Sequence, residues 1–550
     1  MALSFKPAQL PMFVIRISVL LALGQAAVVA ASPYASPEPY VAPQPPELRE
    51  PLLEAVPAPR PVASRADPRQ FLAASMLNEN PQAPAVPLAA PTATDRPLPI
   101  NLATALCLSG ARPLIIAFAQ NSVELAAAQL DRANVLWLPD FNIGFDYYRH
   151  DGADQTTQGD VIRVSKSSLA AGAGATLNFG VADAIFLPLA ARQELSAREF
   201  DLEAARNDAL AAVATAYFDV QEARGRLAGN LDATAKAEDL EKQIKGLAGG
   251  LVPEIEIDRV RALLLDLEQE VEASRAAWRT SSARLNRVLR LNPSAVVVPI
   301  EPPQLEVTLI PAGRAVDDLI PVGLMSRPEL ASHRALVRET LELLRQERVR
   351  PLVPSVVLQG GSAPGGPFNG AVFGGSPNDE PYLGGGRFDA ELAVVWTLDN
   401  LGAGNRALVR QRTAQQQRAL LELFDTQDRV AEEVVRAHAQ LAAAAVEIGK
   451  AEAGVRAANI ALTGTRKGLR QTQGPGELLQ LINRPQEAVA ALQQLNRAYD
   501  SYFAAVSGYN RAQFQLYRAM GYPARTLICE HPLGELQKVD TSFPGSPHRP

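Results

Sequence analysis

The stretch A-R-P at Ala111–Pro113 is followed about 26 residues later by W-L-P-D-F-N-I-G-F at 137–145, and S-R-P at Ser326–Pro328 is followed after the same interval by L-V-P-S-V-V-L at 352–358. In each copy the first proline stands where a helix can begin, because its missing N–H is not needed there. The second proline stands at the start of an alternating apolar run, the mark of a strand. Each copy then continues through a Gly-rich region, a second alternating run and a very long Ala-rich helical pattern. The chain thus states one plan twice, about 215 residues apart: helix, strand, strand, long helix. A plan of this kind points to a conduit and not to an active site.

The strand signals have membrane proportions. In the first copy Phe141, Ile143, Phe145 and Tyr147 alternate with Asn142, Gly144, Asp146 and Tyr148; a polar loop is expected over Asp151–Ser168 and a small-residue strand over Leu169–Phe179. In the second copy Phe388, Ala390, Leu392, Val394, Trp396 and Leu398 face one way, and Asp389, Glu391, Ala393, Val395, Thr397 and Asp399 the other. A run of this length matches a barrel strand of about 9–11 residues with apolar residues outside and polar residues inside. Phe388, Leu392, Val394 and Trp396 are the expected lipid-facing positions, and Glu391 faces the lumen. A half-buried strand of a soluble sheet would alternate in the same way, and the export signal described below favours the barrel.

The helical patterns set the shape. Leu202, Ala209, Val213, Ala216, Val220, Leu227 and Leu231 recur at spacings of three, four or seven, within a helix expected over about 182–245. The counterpart, about 404–468, uses Val430, Val434, Ala437, Leu441, Ile448 and Val455. Such spacing over many turns is coiled-coil-like. A helix of about 64 residues is a rod of roughly 95 Å. Each rod ends at a turn, Gly249–Pro253 or Gly474–Gly476, and returning helices are expected over about 254–291 and 477–520.

The ends of the chain read differently. Lys6 and Arg16 precede the apolar run Ile17–Ala31, which is too short for a span and suits a secretory signal over 1–31. Residues 32–97 carry a proline every few positions and are expected to form a disordered linker. The two repeats then occupy 98–310 and 311–523, and 524–550 is a disordered tail. Beyond the signal, no stretch reads as a transmembrane helix, so a membrane crossing would have to be made of strands.

Composition argues against several functions. A net charge of −6 over 550 residues carries no nucleic-acid footprint. Cys107 and Cys529 give neither a disulfide framework nor metal spacing, and the five histidines are scattered, so no cofactor or metal is expected. Glu238, Asp239 and Glu241 stand among Lys236, Lys242 and Lys245, the mark of a solvated helix face and not of acid–base chemistry. Gly384–Gly386 precedes a strand and so lacks the context of a phosphate loop. No enzymatic constellation is present.

The two Arg-Pro turns, the Leu-Pro or Val-Pro junctions before the strands, Leu177–Gly180 and Trp396–Asp399 at the strand-to-helix switches, and the tips Gly250–Glu254 and Gly474–Leu479, taken in order, resemble the TolC-like outer membrane efflux protein family over 98–523. The resemblance implies a fold that is mostly α with a membrane β-barrel: a homotrimer in which two repeats per chain give four strands to a shared 12-stranded barrel, above a long periplasmic α-helical barrel. It implies a passive exit duct in the outer membrane, docked to a periplasmic adaptor and an inner-membrane transporter. The adaptor would meet the tips at Gly250, Leu251, Val252, Gly474, Pro475 and Gly476. The periplasmic gate would lie among Arg466, Lys467, Arg470, Gln471, Gln473 and Glu477, with Glu477 placed to pair with Arg470. The long Pro-rich N-terminal segment and the Gly-rich region Gly360–Gly386 depart from the family pattern. A type I protein secretion duct would share the same architecture, and an exported coiled-coil structural protein is the alternative outside transport.

Overall fold

The computed structural model describes residues 86–522 apart from 111, 248–250, 362–388 and 474–479. The expected signal segment, most of the Pro-rich segment, the C-terminal tail, Gly250, Phe388 and Gly474–Glu477 therefore lie outside the described residues.

The first element is a short strand, β1 (Arg96–Ile100), so the expected linker boundary at residue 97 falls inside a strand. Residues just before it also pack onto the body, since Ala89 is buried and its carbonyl accepts from Arg224 Nε at 3.1 Å. Helix α1 (Leu102–Ser109) follows, capped by the Asn101 side chain, which accepts from the Thr104 N–H at 2.7 Å. Helix α2 (Leu114–Asn134) begins directly after Pro113. Residues Leu102–Asn134 taken together are long and apolar enough to cross a membrane, with a mean hydropathy of 1.7 in their most apolar window, contrary to the expectation that no such stretch follows the signal. The fold divides them at Gly110–Pro113 and packs α1 into the core. Cys107, on α1, is disulfide-bonded, a role that the cysteine count alone did not suggest.

Strands β2 (Asp140–Gln155) and β3 (Val161–Gly180) form one antiparallel hairpin. The loop expected over Asp151–Ser168 is thus mostly strand. Its turn is confined to Thr156–Asp160, where Gly159 takes a φ of 96° and the Thr156 hydroxyl accepts from the Asp160 N–H. The polar residues there hid the strands because neither face is apolar enough to show alternation.

The first rod, α3 (Val181–Leu247), is 67 residues and about 100 Å long. It returns through α4 (Ile255–Leu289), which ends on Arg290 in the left-handed conformation. Strand β4 (Ala295–Pro299) then pairs in parallel with β1. Three side chains of α4 hold this strand: Trp278 Nε1 donates to the Val297 carbonyl, Asn286 donates to the Ala295 carbonyl, and Ser282 Oγ accepts from the Val297 N–H.

The second repeat retraces the plan. Helices α5 (Val316–Ser326) and α6 (Pro328–Val349) lead through a short 3₁₀ turn (Arg350–Leu352) into β5 (Ser355–Gly361). Strand β6 (Asp389–Val395) is shorter than the run expected from alternation, because Trp396–Leu398 leave the ladder before the next helix. The second rod, α7 (Ala403–Gly468), has 66 residues. A minute hairpin of β7 (Thr472–Gln473) and β8 (Gln480–Leu481) precedes α8 (Pro485–Ala519), so the last helix starts several residues later than the expected 477. Here too the returning helix holds an extended segment: Asn510 bridges Val307 and Leu305, and Gln513 bridges Leu309 and Ile310.

The four long strands form one antiparallel sheet in the order β2-β3-β5-β6, which leaves β2 and β6 as its edges. The core lies away from the sheet, among the rods, around Tyr217, Phe218, Trp278, Phe514 and Leu289 and, further along, around Leu240, Ile244, Leu263 and Leu495. Its density there depends on two glycines of α3. A Cβ on Gly225 would run into the Phe503 ring, and one on Gly229 would lie 2.7 Å from Tyr499 Cβ, so only glycine lets α8 approach this closely.

Candidate functional site

The sheet sorts its residues by chemistry. Cross-strand pairing sets Phe141 beside Ala175, Leu177 beside Leu358, Phe179 beside Val356, Leu358 beside Leu392 and Val356 beside Val394. Residues paired across a ladder share a face. This face therefore carries Phe141, Ile143, Leu177, Phe179, Val356, Leu358, Leu392 and Val394. Phe141 is 68% exposed, Ile143 74% and Leu392 67%, so the apolar face has no protein cover. The opposite face carries Asn142, Thr176, Asn178 and Glu391, and Asn142 donates to Thr176 Oγ1 at 3.2 Å. The expected lipid-facing residues Leu392 and Val394 thus share one face, with Glu391 on the other. Trp396 is exposed just beyond the strand end, and Phe388 lies outside the described residues.

The edge strands β2 and β6 have no neighbour beyond them among the described residues. The rods repeat this incompleteness. On α7, Leu421, Phe424, Val446 and Ile460 are exposed; on α2, so are Leu114, Phe118 and Leu125. Helix α7 packs on α5, α6 and α8, and α2 packs on α3, so the exposed apolar stripes belong to the two outer helices of a four-helix row.

At the far end of the first rod, Leu251 is exposed and its N–H donates to the Leu247 carbonyl at 3.2 Å. Val252, expected to be exposed beside it, is instead 4% exposed and packs in the core with Val260 and Leu263. The turn directs alternate side chains inward, and the exposed apolar partner of Leu251 is Ile255, which sequence reasoning missed. Helical phase from Val260, Leu263 and Leu267, all buried, would have shown Ile255 on the outer side.

The second tip brings together part of the expected gate. Arg466 leans on α3, 3.8 Å from Asp239, while its carbonyl accepts from Gln243. Lys467, Arg470 and Gln471 are exposed and Arg466 half-buried, and the Gln471 carbonyl accepts from the Ile482 N–H. Gln473 pairs through its backbone with Gln480. Glu477, and with it the expected pairing to Arg470, lies outside the described residues. The helix is held in place beneath them by Gly468, where a Cβ would strike the Asn483 side chain.

The charged face on α3 is ordinary surface, with Lys245 paired to Glu241 at 2.9 Å. Among the described residues no group of His, Cys, Asp and Glu has the arrangement of a metal site. Inside the row of helices, Glu339 is half-buried between α3, α6 and α7. Burial, reinforced by Glu194 and opposed by Arg198 and Arg412, raises its carboxyl to about 7.

No family model matches this sequence, and no curated protein matches it. Solved structures do. The CmeC outer membrane channel of Campylobacter jejuni is 17% identical with a TM-score of 0.62, over 76% of this chain and 85% of CmeC. The outer membrane protein VceC of Vibrio cholerae is 16% identical with a TM-score of 0.60, over 76% of this chain and 96% of VceC. The MtrE outer membrane channel of Neisseria gonorrhoeae, solved in its open state, is 16% identical with a TM-score of 0.60, over 76% of this chain and 89% of MtrE. The chain shares their fold.

Proposed function

We propose that this protein is the outer membrane channel of a tripartite efflux system, a passive trimeric duct that docks to a periplasmic adaptor and an inner-membrane transporter. One observation carries the reading: a four-stranded sheet whose apolar face is uncovered and whose two edges are free among the described residues. In lipid every backbone N–H and C=O must be paired, and four strands cannot close on themselves. Three copies would join β6 of one to β2 of the next and close 12 strands. The same rotation brings the exposed stripe of α7 against that of a neighbouring α2, which extends the wall down the rods. The likeness in fold to solved outer membrane channels supports this reading.

Within that duct the adaptor meets the two tips, through Gly250, Leu251 and Ile255 at the first and Gly474, Pro475 and Gly476 at the second, while Val252 is turned into the core. The gate uses Arg466, Lys467, Arg470, Gln471, Gln473 and Glu477, with Arg466 also within reach of Asp239 on α3. The test is direct. Outer-membrane fractions should yield a detergent-resistant trimer, and Leu251→Asp should abolish solute efflux while the trimer level stays normal. A monomer in those fractions would sink the duct, and unchanged solute tolerance in the Leu251 variant would sink the docking.

A further inference from the structure

Where the helices meet the sheet, a cavity of about 780 Å³ opens between the end of α6 and the start of α7. Arg348, Arg406 and Arg410 stand around it, and Pro351, Leu398 and Val409 form its apolar wall. None of these guanidinium groups has an ion pair among the described residues, although neighbouring arginines do. Arg350 takes Asp183 at 2.8 Å and Glu347 at 3.1 Å, and Arg412 lies 3.9 Å from Glu347. The local carboxylates at Asp183 and Glu347 are therefore already engaged, and three cations remain around one hollow. The first turn of α7 borders the same hollow, and its Ala403 N–H is taken by the Asp399 and Asn400 carbonyls, so the positive charge there is that of the arginine side chains.

A second, independent feature lies at the same level. The turn before α7 holds Asn400 and Leu401 at φ values of 50° and 57°, followed by Gly402 at 84°. Consecutive left-handed non-glycine residues are strained and persist where the surroundings impose them. The result is that Leu401 is 100% exposed. Leu398, Trp396, Leu352, Trp137 and Leu138 are exposed beside the same end of the sheet. A belt with tryptophan at the foot of a membrane sheet marks the boundary between hydrocarbon and headgroups.

We infer that this hollow binds the phosphate of a membrane glycerophospholipid, with Arg348, Arg406 and Arg410 around the headgroup and the acyl chains lying over Leu398, Leu401 and Trp396. The three cations with no partner select an anion, and the adjoining apolar belt selects an amphiphile. Basic hollows at this depth are suited to anionic headgroups. The bound lipid would fix the height of the duct in the membrane and shield the strained turn from water. The inference rests on the proposed membrane insertion of the sheet.

The experiment uses the full chain reconstituted in vesicles of phosphatidylethanolamine and phosphatidylglycerol, then extracted in mild detergent and weighed by native mass spectrometry. Phospholipid should stay bound at one per chain. The triple variant Arg348→Gln, Arg406→Gln, Arg410→Gln should lower its retention on the order of a hundredfold, given about 1 kcal/mol for each cation near an anionic headgroup. Leu401→Ser should lower it too, whereas Arg418→Gln, on the exposed pair further along α7, should not. Equal retention by the triple variant and its parent overturns the inference. Displacement by inorganic phosphate alone, with Leu401→Ser without effect, also overturns it and assigns a free-anion site. Loss of the trimer in the triple variant, with no lipid on the parent, overturns it in favour of a carboxylate from a second copy. Flotation of the parent with the vesicles reports membrane insertion separately, so failure of the duct reading is distinguishable from failure of the lipid site.

Discussion

Arg112 and Arg327 occupy the same place in the two repeats, one residue before the proline that precedes or opens a helix, and the fold uses them differently. Arg327 is 5% exposed. It binds Glu329 at 3.1 Å and Glu433 at 2.8 Å and donates to the carbonyl of Arg518, itself paired with Asp208 and Glu433. Gly521, at a φ of 68°, passes so close to Ser326 and Arg327 that a Cβ would not fit. Arg112 is half-buried and has no side-chain partner among the described residues. The rods differ in the same sense. Helix α3 is buried almost continuously over 204–230, in contact with α2, α4, α6 and α8, whereas α7 is buried along a single stripe. Duplication supplied the plan, and position in the row of helices decided which copy of each residue became structural. The inner rod and the second Arg-Pro turn hold the chain together, and the outer rod keeps one side for a neighbour.

The largest test of that difference is Arg327→Ala. It takes a buried guanidinium from between Glu329 and Glu433, leaves Glu433 with Arg518 alone, and should cost about 3–5 kcal/mol, as removing one partner of a buried ion pair does. Arg112→Ala should stay within about 0.5 kcal/mol, as surface changes do. Thermal unfolding of both purified variants decides, and equal losses would end the claim that the repeats have diverged in role. The sheet comes next. Val394→Arg should disturb assembly by about 2–4 kcal/mol if that face meets lipid, and Glu391→Gln on the other face should be tolerated; equal tolerance in heat-modifiability gels would break the assignment of faces.

Glycines sharpen the contrast between the rods. Gly229→Val on α3 meets Tyr499 and should destabilise by about 1–3 kcal/mol. Gly449→Ala on α7 meets nothing within 4 Å and should stabilise by about 0.5–1 kcal/mol. Denaturant midpoints with opposite signs are expected. The effect that depends on pH concerns Glu339, raised from its ordinary 4.5 to about 7. Its folded value lies above the unfolded one, so its contribution is complete below about pH 4.5 and is lost as pH rises through about 7. Glu339→Gln should therefore melt higher than the parent at pH 8 and no differently at pH 4. A gap of the same size at both pH values would remove burial of the charge as its cause.

The rods were legible because apolar residues at spacings of three and four continue for many turns, and their observed ends at 247 and 468 fall within two residues of the expected ones. The hairpin of β2 and β3 was legible only at its apolar foot. Its outer half, from Asp151 to Ser168, mixes polar residues such as Asp151, Asp154 and Ser165 with Val161, Ile162 and Val164 over both faces, so nothing periodic marks it. The tips were legible as turns but not in their facing. Val252 looks like an exposed apolar residue in sequence, and only its packing against Val260 and Leu263 turns it inward. The free arginines beside α7 were not legible at all, because their lack of partners depends on Glu347 being taken by Arg350 and Arg412 from elsewhere.

The seam between β3 and β5 has a kinetic meaning. Gly180 pairs with Ser355 across 175 steps of chain, whereas β2 and β3 meet across a five-residue turn and each rod folds back on the helix that follows it. Contacts between distant parts of a chain form late, because loop closure must precede the gain from pairing. Synthesis delivers the first repeat ahead of the second. Its hairpin, with apolar Phe141 and Ile143 uncovered, must therefore wait until the whole of the first rod and its return have emerged before its natural neighbour exists. That interval is when the chain is most open to wrong pairing, and a holding chaperone should recognise the β2–β3 hairpin before it recognises anything in the rods.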